Sequence, residues 1–320
     1  MKNAKKCIAL VLLLALLAGC TGARNTGGPY SVYLIVKSTT TEFWKSVFAG
    51  ASAAKSEYNV DLTILGAETE ENYEEQNAFI RQAIADQADA IVFSAISYTE
   101  NAQAINEAVA AGISVVVIDS DVDSEGVSVR IGTDNVEAGR MTGAAVLDTD
   151  EQKLVVGIVN CDKGTQNGQE REQGFREALI KDSRVYGIYS VNVPTDQRLA
   201  KQAAVKMLSE HPDINVLVGL NEPLAVGTAM AVDELGLSGH VRCVVFDSNI
   251  KCIEYLQTGT VSALIVQNPY AMGYLGIEKA WQALQGERFG SRTVVDTATS
   301  IVTKENMFTM ESQKALFSFG

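Results

Sequence analysis

The chain has 320 residues, 47% of them hydrophobic, a formal net charge of −13 and only two histidines. An acidic body of this kind repels phosphate backbones and anionic headgroups, which argues against nucleic-acid binding and peripheral membrane association. The length suits two ordinary domains with sizeable cores.

At the N-terminus, Lys2, Lys5 and Lys6 precede an unbroken apolar run, IALVLLLALLA (8–18), which ends at Gly19-Cys20. This is the pattern of a secretion signal, and the run is too short for the roughly 20 residues that cross a bilayer. The segment LAGC (17–20) resembles a bacterial lipobox, which implies cleavage before Cys20 and a lipid on its thiol. Cleavage there removes 19 residues containing three lysines and no acid, leaving 301 residues and a charge of −16. TGARNTGGP (21–29) lacks periodicity and reads as a flexible tether over 20–29, with folding from residue 30. Three other cysteines remain, Cys161, Cys243 and Cys252, whose irregular spacing matches neither a disulfide framework nor a zinc site. Buried inert thiols are expected, with a Cys243–Cys252 bridge left open.

From Ser31 onward, short β-branched runs alternate with amphipathic stretches, the signature of βαβ units around a parallel sheet. Strands are predicted at 31–36, 60–65, 90–94, 114–118 and 127–132, and a second series at 153–159, 184–191, 214–219, 241–246 and 261–266. Helices are predicted at 41–58, 70–87, 100–111, 134–148, 165–182, 195–210, 222–236, 249–258 and 269–286. Val47, Ala51, Ala54 and Tyr58 keep the spacing of one buried helix face. Two similar series predict two similar α/β domains, with crossings near residues 133 and 267.

In open parallel sheets, ligands bind beyond the carboxyl ends of the strands. Past the first strand stand Thr41, Phe43 and Trp44; Ser94 ends the third, followed by Ser97; and Asp119, Ser120 and Asp121 follow the fourth. In the second series the exits carry Asn160 and Asp162, then Asn221 and Glu222, then Asp247 and Ser248, then Gln267 and Asn268. Hydroxyls, carboxylates and carboxamides at one edge suit a neutral polyhydroxylated ligand, whose hydroxyls both donate and accept. Phe43 and Trp44 would cover the apolar C–H faces of a sugar ring. Each residue also has an ordinary structural role: aspartate and asparagine at strand exits are turn formers and helix caps, a helix arginine such as Arg171 is commonly solvated, and either aromatic could cap the core.

Enzyme motifs are missing: there is no Gly-x-Gly and no phosphate-binding G-x4-GK loop, and His211 and His240 sit at element boundaries. Asp119 and Asp247 as a glycosidase pair is the remote alternative. The motifs ST-x3-FW-x2-V-x2-GA (38–51), VVVIDSD (115–121), IGTDNVEAGR (131–140), REQGF (171–175), LNEPLAVG (220–227), VVFDSN (244–249) and ALIVQNPYAMG (263–273), in this order, resemble the ribose- and galactose-type periplasmic sugar-binding proteins, receptors of sugar ABC importers.

The resemblance covers residues 31–303 and implies a type I periplasmic-binding-protein fold: two doubly wound, Rossmann-like parallel-sheet domains joined by a three-strand hinge that closes on a sugar. It places one domain at 30–133 plus 268–295 and the other at 134–267 plus 296–320. It implies ring stacking by Phe43 and Trp44 and polar contacts from Asp119, Arg171, Asn221, Asp247 and Gln267, with Ser94 standing where ribose binders often have asparagine. Thr41-Glu42 replaces an Asn-Pro pair, Ser120 replaces an arginine and Thr195 an aromatic, so a sugar, polyol or sugar-like signal other than ribose is expected. Implied with it are a monomer outside the cytoplasm, anchored by the Cys20 lipid, with no cofactor, metal, catalytic residue or nucleic-acid partner. Its partner would be an ABC permease or, alternatively, a membrane sensor kinase or chemoreceptor. An effector domain of lac-repressor type shares this fold, but a lipoprotein signal stands where its helix-turn-helix would be.

Overall fold

The computed structural model describes residues 28–290 and 293–317, so the signal run, Cys20 and most of the tether lie outside the described residues. The first half runs β1 (Ser31–Val36), α1 (Glu42–Tyr58), β2 (Asp61–Gly66), α2 (Tyr73–Ala85), β3 (Ala90–Phe93), α3 (Ala102–Ala110), β4 (Ser114–Ile118) and β5 (Val127–Gly132). The second runs α4 (Asn135–Leu147), β6 (Leu154–Asn160), α5 (Gln166–Leu179), β7 (Val185–Asn192), α6 (Gln197–Glu210), β8 (Val216–Gly219), α7 (Glu222–Glu234), β9 (Arg242–Phe246), α8 (Ile250–Thr258) and β10 (Ala263–Val266). The chain closes with α9 (Pro269–Leu284), β11 (Thr293–Asp296), β12 (Ser300–Thr303) and α10 (Met310–Leu316).

Two six-stranded sheets result, ordered β2-β1-β3-β4-β5-β11 and β7-β6-β8-β9-β10-β12. Every pairing is parallel except that of β12 with β10. Helix α9 packs back on α1 and on β3, β4 and β5. The chain therefore passes between the sheets three times: after β5, after β10, and between β11 and β12.

Both faces of the central strands are covered, which is why they read as continuous apolar runs. In β1, Val32, Leu34 and Val36 join one core cluster while Tyr33 and Ile35 join another on the opposite face. The last two strands and α10 carry no such signal. Strands β11 and β12 are four residues each and mostly half-exposed or exposed, so neither presents a buried run to read.

Helix α1 is the element that carries the first wall of the cleft. Thr41 caps it by accepting the N–H of Trp44, and its buried stripe is Trp44, Val47, Gly50, Ala51 and Ala54. Gly50 and Gly273 let α1 and α9 touch backbone to backbone: a Cβ on Gly50 would lie 2.0 Å from the Tyr270 carbonyl oxygen. The α1 N-terminus is thereby set at the edge of the sheet. Cys161, Cys243 and Cys252 are buried and free, and burial pushes the Cys161 and Cys243 thiols up to about 11 and about 12.

Candidate ligand-binding cleft

The strand order of each sheet reverses beside its first strand, between β1 and β3 and between β6 and β8. That switch point is where open parallel sheets bind ligands. Facing these edges is a cleft lined by residues of both sheets' connections. Thr41, Phe43, Trp44, Asp119, Arg171, Asn221, Asp247 and Gln267 line it, eight of the ten candidate site residues. Lys37, Glu70, Asn167, Glu222 and Pro223 line it as well.

On the first wall, Asp119 leaves β4 with φ +57°. Its Oδ2 pairs with Lys37 Nζ at 3.2 Å and accepts the Ser94 hydroxyl at 2.9 Å; its Oδ1 accepts Asn167 Nδ2, from α5 of the other half, at 3.0 Å. Ser94 therefore stands behind Asp119 instead of on the cavity surface. Ser120 is fully buried, its hydroxyl oxygen makes no hydrogen bond, and it lines no part of the cavity. Lys37 puts a cation beside the acid where the resemblance would have put one at position 120.

The aromatic pair divides its work. Phe43 and Trp44 meet edge to face with centroids 5.0 Å apart. Trp44 is only 2% exposed and belongs to the core stripe of α1, yet its ring borders the cavity, and its indole N–H donates to Glu70 Oε1 at 3.0 Å. Desolvation raises the Glu70 carboxyl above its ordinary range, opposed by Lys37 and by the indole bond.

On the second wall, a chain of hydrogen bonds runs from Arg171 to Asp247. Arg171 donates to Asn135 Oδ1 (2.9 Å), the Leu220 carbonyl (2.8 Å) and Gln267 Oε1 (2.7 Å), and its guanidinium lies 4.6 Å from the Phe246 ring centroid. Gln267 Oε1 also accepts the Thr133 hydroxyl, and Gln267 Nε2 donates to Asp247 Oδ1 at 2.7 Å. Asp247 leaves β9 with φ +70° and has no cation within ion-pair distance among the described residues. Burial pushes its carboxyl up to about 7, against the pull of Arg171 and the Gln267 bond. Asn221 caps α7 through its Oδ1, which accepts the Leu224 N–H.

The residues missed by sequence reasoning carried weak signals. Lys37 is the first residue past β1 but interrupts a hydrophobic run only once. Glu70 follows β2, whose exit belongs to the same sheet edge as the others. Glu222 was visible as a strand-exit acid beside Asn221. His240 is exposed, His211 stacks on Tyr189 at 3.7 Å, and neither borders the cavity. Among the described residues no acid, cysteine or histidine cluster could hold a metal.

A family model for the periplasmic binding protein domain matches residues 32–288. The chain belongs to this family. A D-ribose/D-allose-binding protein of Pseudomonas aeruginosa is 28% identical over 284 residues, covering 85% of this chain and 88% of that protein. A carbohydrate transporter solute-binding protein from Agrobacterium radiobacter, solved in complex with D-arabinose, superimposes with a TM-score of 0.87 at 26% identity, over 91% of this chain and 100% of that one. A sugar transporter from Clostridium phytofermentans aligns at 32% identity and a TM-score of 0.77, over 86% of this chain and 99% of that one. The fold is that of these proteins, and the chain is a periplasmic-type binding protein and not an enzyme.

Proposed function

We propose that the chain is an extracytoplasmic, lipid-anchored receptor that closes on a monosaccharide, polyol or sugar-like ligand and delivers it to an ABC importer. The observation that carries this reading is the pairing of Asp119 and Asp247, one from each sheet, on a single cavity that also holds aromatic faces and amide donors. Carboxylates accept from hydroxyls, Lys37 and Asn221 donate, and Phe43 and Trp44 cover the apolar ring faces, the usual division of labour in a sugar pocket. The relatives that bind ribose, allose and arabinose support the sugar class.

Closure about the three inter-sheet connections would bring the halves 30–133 plus 268–295 and 134–267 plus 296–320 together on the ligand. The positions of Ser120, which supplies no group to the cavity, and Thr195, which lies outside its lining, support a sugar, polyol or sugar-like ligand other than ribose. Cys20 in LAGC supports lipid anchoring after cleavage.

A thermal-shift screen of the soluble body against monosaccharides, polyols, nucleosides and amino acids tests the reading. A micromolar ligand at millimolar concentration adds about 4 kcal/mol to native stability by mass action. Stabilisation confined to sugars or polyols is expected; stabilisation only by nucleosides or amino acids overturns the substrate class.

A further inference from the structure

Glu222 borders the ligand cavity, but both of its carboxylate oxygens are already occupied by the protein. Oε2 accepts the backbone N–H of Phe43 at 2.7 Å, and Oε1 accepts that of Glu42 at 3.1 Å and Asn249 Nδ2 at 2.8 Å. The side chain is buried, 6% exposed. Glu222 opens α7, which packs on β8 and β9 of the second sheet, whereas Glu42 and Phe43 open α1, which packs beside β2 of the first. The contact therefore bridges the cleft.

The first N–H groups of a helix have no intrahelical acceptor and carry a partial positive charge. In α1, Thr41 accepts the N–H of Trp44 through its hydroxyl and that of Lys45 through its carbonyl. The N–H groups of Glu42 and Phe43 receive the carboxylate from the opposite half. Asn249, held in α8's cap where its Oδ1 accepts the Lys251 N–H, orients that carboxylate. Opening the cleft separates the carboxylate from the Glu42 and Phe43 N–H groups and returns the helix end to water, while Asn249, in the same half, stays with Glu222.

Resting on the receptor reading above, we propose that Glu222 is the closure latch: it stabilises the closed form by serving as the anion at the α1 N-terminus, without contributing to recognition of any particular ligand. The protein's own carboxylate fills the place at this helix end that an anionic ligand group would otherwise take. The latch is consequently coupled to neutral ligands.

A latch changes only the fraction of closed protein, and apparent affinity scales with that fraction whatever the ligand. Calorimetric titration of wild type, Glu222→Ala, Glu222→Gln and Asn249→Asp with each sugar or polyol that binds wild type tests this. Glu222→Ala is expected to weaken every ligand by one common factor of about 10- to 100-fold, the scale of hydrogen bonds to a charged group, and Glu222→Gln by a smaller common factor. Asn249 lies outside the lining of this cavity but borders an adjoining one together with Glu222, Asp247 and Gln267. Asn249→Asp keeps the α8 cap and sets a like charge against Glu222, so a loss of affinity there by one factor common to every ligand marks a latch, and a loss that differs between ligands marks a ligand contact. Unchanged affinity in Glu222→Ala or Asn249→Asp, or a factor that differs from ligand to ligand, overturns the latch while leaving the receptor reading intact. A wild-type protein that binds no sugar or polyol overturns the receptor reading itself.

Discussion

Asp119 and Asp247 end the fourth strand in the order of their respective sheets, both in the left-handed backbone region, yet they carry opposite electrostatic surroundings. Aspartate tolerates that conformation better than most residues, and such strained exits cluster at functional sites. Asp119 is paired with Lys37 and accepts two further hydrogen bonds, whereas Asp247 has Gln267 alone and is pushed up to about 7. One wall of the cleft is electrostatically complete without ligand. The other is not.

That asymmetry makes binding pH-dependent. Ligand hydroxyls that donate to Asp247 favour its charged form, so binding releases a proton wherever the free protein holds one. Affinity is expected to fall by up to about tenfold per pH unit below about 7 and to level off above it. In the absence of ligand the sign runs the other way. A raised carboxyl favours the folded state below its ordinary range and loses that contribution as pH rises through about 7. Asp247→Asn should therefore gain stability over wild type above that pH and bind with no step near it. Titrations at several pH values, paired with urea unfolding of both proteins, check both signs.

Lys37 and Asp119 are 3% and 4% exposed at the side chain, a buried ion pair. Removing one partner leaves a buried charge uncompensated, at a cost of about 3 to 5 kcal/mol. Lys37→Met is expected to lower stability on that scale and to weaken ligand binding, as measured by urea unfolding and calorimetry. A variant of wild-type stability would show that Asp119 finds its compensation elsewhere.

Trp44 and Trp281 are the two tryptophans, and only Trp44 borders the cavity. Trp281 lies in α9 beside Tyr58, with centroids 5.0 Å apart. Ligand-dependent fluorescence should be lost in Trp44→Phe and survive in Trp281→Phe. Trp44→Phe keeps an aromatic face but strips Glu70 of its indole donor, at about 1 to 3 kcal/mol for the unsatisfied acceptor.

Ser120 gives the opposite expectation. Its hydroxyl oxygen is buried without a partner, and removing an unpaired buried polar atom is neutral or stabilising by up to about 1 to 3 kcal/mol. Ser120→Ala should leave ligand affinity unchanged and the melting temperature equal or higher.

The first ten strands and nine helices were legible because the central strands are covered on both faces, the edge strands β2 and β7 still carry apolar runs, and each helix presents one stripe to a sheet. Boundaries moved by only a few residues, as at β10, which begins at Ala263 instead of 261. Strands β11 and β12 were not legible, since TVVD and SIVT bury too little to leave a run. In the cleft, the strand-exit rule found Asp119, Asn221, Asp247 and Gln267 because polar residues interrupt apolar runs there. It missed Glu70 and Asn167, which reach the cavity from a loop and from the first turn of α5. Trp44 shows the limit of periodicity: one residue serves the α1 stripe and the cavity at once, and spacing alone does not separate those roles.

Asp119 and Asp247 act from opposite halves on one ligand in the proposed receptor. Calorimetric titration of a sugar or polyol identified in the panel, against wild type, Asp119→Asn and Asp247→Asn, tests it directly. Each substitution is expected to cost about 1.5 to 3 kcal/mol, or about 10- to 150-fold in affinity, the scale of hydrogen bonds to a charged group. Wild-type affinity in either variant would contradict the two-sided cleft.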